Sequence, residues 1–215
     1  MDKRDIDNTI NRYNERLEKF GSSEESLGWT RNNNSLRFEY LIKEWKDELS
    51  GSKICDFGCG FGDLYGFLSS NGVSSINYTG IDINNELVTI GKKRYPNAHF
   101  WIGDILNEPF DQQFDFTFSS GVFNHKLEFS DEIEFTEKCI EKIASFSTKG
   151  FAINFLSDKV EYKTLNNHNS SPQKILELCY KYSNNVILRN DYMPFEFTVY
   201  VRRDKTIDRT KLIYQ

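Results

Sequence analysis

Seven residues, Asp56-Phe57-Gly58-Cys59-Gly60-Phe61-Gly62, limit what this chain can fold into more than any others. They follow a short strand-like run, Lys53 to Phe57, and precede a stretch that carries Leu64, Phe67 and Leu68 at helical spacing. A strand that enters closely spaced glycines and leaves as a helix makes a sharp turn. Its backbone can approach a ligand because no Cβ stands in the way. In an open α/β sheet such a turn lies outside the carboxyl ends of the strands, where ligands bind.

The rest of the chain repeats the same alternation. Tyr78 to Ile83, Ala98 to Ile102, Phe114 to Phe118 and Gly150 to Leu156 read as strands. Glu86 to Tyr95 reads as a helix closed by Pro96, and a second helix bears Ile133, Ile140 and Ile143, with Ser130 as its cap and Asp131 and Glu132 in its first turn. Ser171-Pro172 opens another helix, Ser as cap and Pro at the first helical position. Val186 to Arg189 and Phe195 to Val201 are strands joined by Asn190 to Pro194, too short for a crossover, so they should be antiparallel. In the last strand Phe195, Phe197, Val199 and Val201 alternate with Glu196, Thr198 and Tyr200, which predicts one face less buried than the other. Ahead of all this, Ile6, Ile10, Tyr13, Leu17 and Phe20 mark one face of a helix ending at Gly21, and a second helix is expected from Ser35 to Leu49. The expectation is an α/β protein: a Rossmann-like doubly wound sheet, mostly parallel, with a C-terminal antiparallel strand pair and added N-terminal helices. Residues 1–215 are read as one domain, with 1–50 a helical lid and 51–215 the core.

Composition narrows the partners. Twenty-seven Lys and Arg against 32 Asp and Glu give a net charge of −5, which is not the basic footprint of a nucleic-acid binder. Lys92-Lys93-Arg94 reads as a solvated helix face. Cys55, Cys59, Cys139 and Cys179 lack the paired spacing of a zinc site, so free thiols in a reducing compartment and no metal are expected. The charged N-terminal stretch does not resemble a signal peptide. No apolar run approaches the ~20 residues of a membrane span, so a cytoplasmic chain is expected. A monomer and a homodimer are both compatible with the sequence.

The turn itself speaks against a dinucleotide. G-x-G-x-x-G would place a third glycine at position 63, where this chain has Asp63. Asp56 would repel a pyrophosphate but attract an ammonium group. D-x-G-x-G-x-G after a first strand resembles the signature of class I S-adenosylmethionine methyltransferases. The resemblance implies that Asp56, Gly58, Cys59 and Gly60 surround the methionine part of the cofactor. Asp82, ending the second strand beside Ile83, is placed to accept hydrogen bonds from both ribose hydroxyls. The resemblance further implies that Asp104, after Gly103, meets the adenine amino group, that the Ile105 N–H meets the ring, and that Ser119 and Ser120 border the sulfonium and the acceptor. Either Asp82 or Asp104 could instead be a helix cap. Nucleobase methyltransferases usually carry a Pro-Pro-aromatic run here; Ser120-Gly121-Val122-Phe123 has no proline, which weighs against DNA bases.

A narrower likeness spans the chain. Arg12-Tyr13, Gly21, Trp29, Arg37-Phe38, the Ser-Gly-Val-Phe-Asn run, Asp191 to Pro194 and Glu196 to Tyr200 resemble small bacterial methyltransferases encoded with surface-polysaccharide genes. That likeness implies O-methylation of a small-molecule acceptor, a sugar or glycan precursor, with S-adenosylhomocysteine as product. Tyr13 and Trp29 are expected to wall the cofactor site, and Arg37 to pair with the methionine carboxylate. His125, in the loop after the fourth strand, is the candidate general base; its alternative is a hydrogen-bonded structural histidine. N-methylation of an amine or protein, and a cofactor-binding module without catalysis, remain the competing readings.

Overall fold

The computed structural model describes residues 1–29 and 33–203. Its helices are α1 (Lys3–Phe20), α2 (Asn33–Ile42), α3 (Asp63–Ser70), α4 (Asn85–Arg94), α5 (Glu132–Phe146) and α6 (Pro172–Tyr180). Its strands are β1 (Lys53–Phe57), β2 (Asn77–Asp82), β3 (His99–Ile102), β4 (Phe114–Ser119), β5 (Ser147–Leu156), β6 (Asn185–Arg189) and β7 (Glu196–Arg202). They form one seven-stranded sheet in the order β3-β2-β1-β4-β5-β7-β6. Among these pairs, β5 with β7 and β6 with β7 run antiparallel and the others parallel. The expected Rossmann-like doubly wound sheet is therefore present. Among the described residues no helix is long and apolar enough to cross a membrane.

Each face of the sheet buries its own core. On one face α5 and α6 press Ile140, Ile143, Ile175 and Cys179 against Phe151, Ile153, Phe155 and Val199. On the other, Leu41, Ile42, Trp45, Leu64 and Leu68 cover Ile54, Phe116, Phe118 and Tyr200. Coverage on both sides explains the apolar stretch of β5 around Phe151 to Phe155.

Three local expectations need correction. The helix expected over Ser35 to Leu49 changes at Ile42 into a 3-10 turn, Lys43–Glu48. Three residues per turn brings Ile42 and Trp45 into line, and both are buried. Asp131, not Ser130, caps α5, accepting the Ile133 and Glu134 N–H groups at 2.9 Å. The Ser130 hydroxyl instead accepts the Asp2 N–H at 2.8 Å. Finally, β7 is buried on both faces from Glu196 to Val201. It lies between β5 and β6 rather than at the sheet edge, and the face expected to be more open is closed by partners. Glu196 meets Arg37, the Thr198 hydroxyl meets the Tyr192 hydroxyl, and the Tyr200 hydroxyl donates to the Tyr40 carbonyl.

Trp45 is the keystone of the α2 side. Its ring centroid lies 5.4 Å from Phe116 and 5.9 Å from Tyr200. Gly150 makes room for it: a Cβ there would lie 2.7 Å from Trp45 Cζ2 and 2.6 Å from the Val201 carbonyl oxygen. Trp45→Ala is expected to destabilise the fold by about 3–5 kcal/mol. A lower urea midpoint at unchanged slope would show it; a wild-type midpoint would contradict it.

Candidate active site

The turn after β1 is built by hydrogen bonds to β2. The Gly58 and Cys59 N–H groups both donate to the Ile81 carbonyl, at 2.8 and 3.0 Å. The Gly60 N–H donates to Asp82 Oδ2 at 2.8 Å, and the Asn84 N–H to Asp82 Oδ1 at 2.8 Å. Gly58 has φ 76° and packs so closely that a Cβ would lie 2.1 Å from Val122 Cγ2. Glycine is required there by conformation and by space. Gly62, at φ 77°, turns the chain into α3.

Above this turn α1 lies across the strand ends, tied down by polar contacts. The Asn84 side chain, which caps α4, also donates to Asn14 Oδ1 at 2.9 Å and to the Ile10 carbonyl at 3.3 Å. Asp5 is buried and accepts the Glu128 N–H at 2.9 Å and the Phe129 N–H at 3.2 Å. Burial, the largest single influence, raises its carboxyl, but the Ser130 hydroxyl and then these N–H groups hold it below the usual range. Thr9 and Tyr13 form part of the cleft enclosed beneath α1.

That cleft brings together most of the residues singled out in the sequence: Tyr13, Trp29, Asp56, Gly58, Cys59, Gly60, Asp82, Ile83, Gly103, Asp104, Ile105 and Ser120. Three do not line it. The Ser119 hydroxyl is buried and donates to the Phe57 carbonyl at 2.9 Å, tying β4 to β1. Arg37 is buried behind the cleft wall and pairs with Glu196, its Nε 2.7 Å from Oε1, so it does not stand in the cleft where a methionine carboxylate was expected to meet it. His125 lies in a separate hollow with Arg12, Lys126 and Glu128, and Thr9 of α1 lines both hollow and cleft. Thr9, Leu27, Leu106, Phe135 and Cys139 also line the cleft and were not anticipated. Of these, Leu27 and Phe135 carried no signal beyond ordinary apolar spacing.

The carboxylates differ in state. Asp56 is buried and accepts the Tyr78 hydroxyl at 2.7 Å. Burial pushes its carboxyl up to about 7; the Tyr78 hydrogen bond opposes this, while the charges of Asp82 and Asp63 add to it. Burial also raises Asp82, against the N–H groups of Asn84, Gly60 and Ile83. Asp104 accepts the Leu106 N–H at 3.0 Å and the Asn107 side-chain amide at 2.7 Å, so it shapes its own turn as well as the cleft wall. Burial lowers the His125 imidazole, and the Arg12 charge lowers it further. Its Nδ1 is buried without a partner among the described residues, and the ring is neutral near pH 7. Among the described residues no group of three or more His, Cys, Asp or Glu could hold a metal ion.

The site fits the cofactor that the motif implied. The glycine turn leaves backbone bare where side chains would collide, and carboxyl groups at the ends of β1, β2 and β3 offer acceptors for an ammonium, a ribose diol and an adenine amino group. Apolar Ile83, Leu87, Ile105 and Leu106 supply walls for a flat base.

Known proteins agree. Residues 48–196 match the family described as methyltransferase domain. A methyltransferase-named protein of Mycobacterium tuberculosis is 32% identical over 162 residues, covering 70% of this chain and 92% of that one. Among solved structures, magnesium protoporphyrin IX methyltransferase of Synechocystis, with S-adenosylhomocysteine bound, superposes with a TM-score of 0.68 at 14% identity over 91% of this chain and 99% of that one. An S-adenosylmethionine-dependent methyltransferase of Clostridium acetobutylicum gives 0.63 at 11% identity, over 88% and 98%.

Asp56 makes the site costly to the empty protein. Its carboxyl titrates near 7 folded but near 3.8 unfolded, so the folded state binds the extra proton between those values. Stability is therefore lost as pH rises from about 4 to 7 and stays lost above. Asp56→Asn should raise the melting temperature of the empty protein most at pH 8, less at pH 5, and little below about pH 4. A lower melting temperature at pH 8 would contradict this. On its sheet topology, its glycine turn and its match over residues 48–196, the chain belongs to the methyltransferase-domain family and is a methyltransferase.

Proposed function

We propose that the chain transfers the methyl group of S-adenosylmethionine to a hydroxyl of a small sugar or glycan precursor, with His125 as general base. The observation that carries the reading is the meeting of Asp56, Asp82 and Asp104 in one cleft along the ends of successive parallel strands. The donor is S-adenosylmethionine. The turn at Gly58 to Gly60 and Asp56 would hold its methionine end, Asp82 its ribose, and Asp104 with Ile105 its adenine. When bound, the sulfonium supplies a methyl carbon activated for in-line displacement.

The chain's own work is alignment and proton removal. Enclosure beneath α1 excludes water and fixes the reactants, and such proximity is worth up to about 7–11 kcal/mol. Asn8, Asn11, Arg12, Glu15, Lys126 and Glu128 line the hollow beside the cleft. They offer donors and acceptors suited to a hydroxyl-rich acceptor, with the neutral His125 imidazole among them. On this reading an acceptor would reach from the hollow past Thr9, which lines both, to bring its hydroxyl between the imidazole and the donor methyl.

Two substitutions separate donor from acceptor functions. Asp82→Asn should weaken S-adenosylhomocysteine binding by about tenfold or more in calorimetry, since charge-assisted hydrogen bonds are worth about 1.5–3 kcal/mol each. His125→Ala should leave that affinity intact and cut turnover on hydroxylated sugars by about 10²–10⁴-fold. Because the imidazole is lowered, the acid limb of kcat/KM should fall below 6.5, the ordinary histidine value. Turnover that survives His125→Ala, with amines methylated in place of alcohols, would replace this reading with N-methylation.

A further inference from the structure

A buried ion pair stands behind the cleft without entering it. Arg37 on α2 and Glu196 at the head of β7 are 5% and 1% exposed. Arg37 Nε donates to the two carboxylate oxygens at 2.7 and 2.9 Å, and Nη2 donates to Oε1 as well. Asn154 of β5 adds its Nδ2 to Glu196 Oε2 at 2.9 Å and to the Tyr192 hydroxyl oxygen at 2.9 Å. Taking such a pair out of water costs about as much as the attraction returns, so stability does not account for it.

What the pair does touch is Trp29. The guanidinium carbon lies 4.1 Å from the centroid of the indole. Arg37 Nη1 is buried without a hydrogen-bond partner among the described residues, so the carboxylate and the indole are the contacts that orient the group. At its other end the indole rests on bare backbone. A Cβ at Gly121 would lie 2.7 Å from Trp29 Cη2 and 2.7 Å from Cζ2. Gly121 has φ 86° and lies between Ser120 and Val122, and all three line the cleft together with Trp29. The indole is thus gripped between the ion pair and the loop that follows β4.

We propose that Arg37, Glu196 and Asn154 are positioning residues that fix the Trp29 indole as a wall of the cofactor cleft beside Ser120 and Gly121. Arg37 acts through Trp29, not by direct contact with the cofactor. The inference rests on the cleft being the S-adenosylmethionine site.

A double-mutant cycle read by S-adenosylhomocysteine affinity tests it and needs no knowledge of the acceptor. Trp29→Ala should weaken binding by about tenfold, the scale of one cation–π or stacking contact in a desolvated site. Arg37→Met with Glu196→Met keeps an apolar filling and should weaken binding comparably with little change in melting temperature. Its indole emission, taken as the difference from the same protein carrying Trp29→Phe, should shift to the red. Combining all three substitutions should weaken binding no more than Trp29→Ala alone. Multiplying losses, or a paired variant that binds like wild type, overturns the proposal. If the paired variant fails to fold, Trp29→Phe decides. The smaller ring cannot reach both Arg37 and Gly121, so affinity should fall at unchanged stability; wild-type affinity refutes the proposal. Failure of the wild-type protein to bind S-adenosylhomocysteine would remove the cofactor reading and this one together. Loss of binding in Asp82→Asn with none in Trp29→Ala removes this one only.

Discussion

The end of β2 holds the turn that follows β1, and the cleft takes its shape from that grip. One carbonyl, that of Ile81, receives both the Gly58 and Cys59 N–H groups, and the Asp82 carboxylate receives those of Gly60 and Asn84. The glycine turn is therefore fixed by its parallel neighbour before any ligand arrives. A turn held by hydrogen bonds presents its bare backbone at a defined place, so less conformational freedom is lost on binding. Asp82 thus has a structural duty as well as a chemical one. The sheet order follows the same logic: β1 lies between β2 and β4, so the turn opens where the strand order reverses, which is where open α/β sheets place ligands.

Function in this cleft is set against stability. Asp56 is buried beside two other acids, and its carboxyl is forced up toward neutrality. A folded protein selected only for stability would not keep three carboxyl groups so near one another. Burial is the main cost of a charge at Asp56 and the neighbouring acids add to it; a cation in the cleft would offset both. The lid follows a related pattern. α1 is anchored by Asp5, which accepts the Glu128 N–H, and by Asn84, which donates to Asn14 and the Ile10 carbonyl, while much of its remaining surface is exposed.

Much of this was legible in the sequence because periodicity and glycine placement act locally. The strands and helices, the turn at Asp56 to Gly62, and the acids at the ends of three strands all depend on residues near one another in the chain. What the sequence hid depends on distant partners. Glu196 sat in an alternating pattern that marked it as the more open face. Its burial depends on Arg37, 159 positions away. Likewise Arg37 looked like a ligand for a carboxylate, and the carboxylate it holds is the protein's own. The switch from Ser130 to Asp131 as the α5 cap arose because Ser130 is taken by the Asp2 amide at the start of the chain. The 3-10 turn after α2 reflects the demand of Trp45 for a place under the sheet, a tertiary demand that no local propensity records.

The most direct test is a crystal structure of the protein soaked with S-adenosylhomocysteine. The account predicts density beneath α1, with the ribose against Asp82, the amino-acid end at the Gly58 to Gly60 turn and the base beside Ile105. An empty cleft, or the same molecule lodged elsewhere on the sheet, would contradict it.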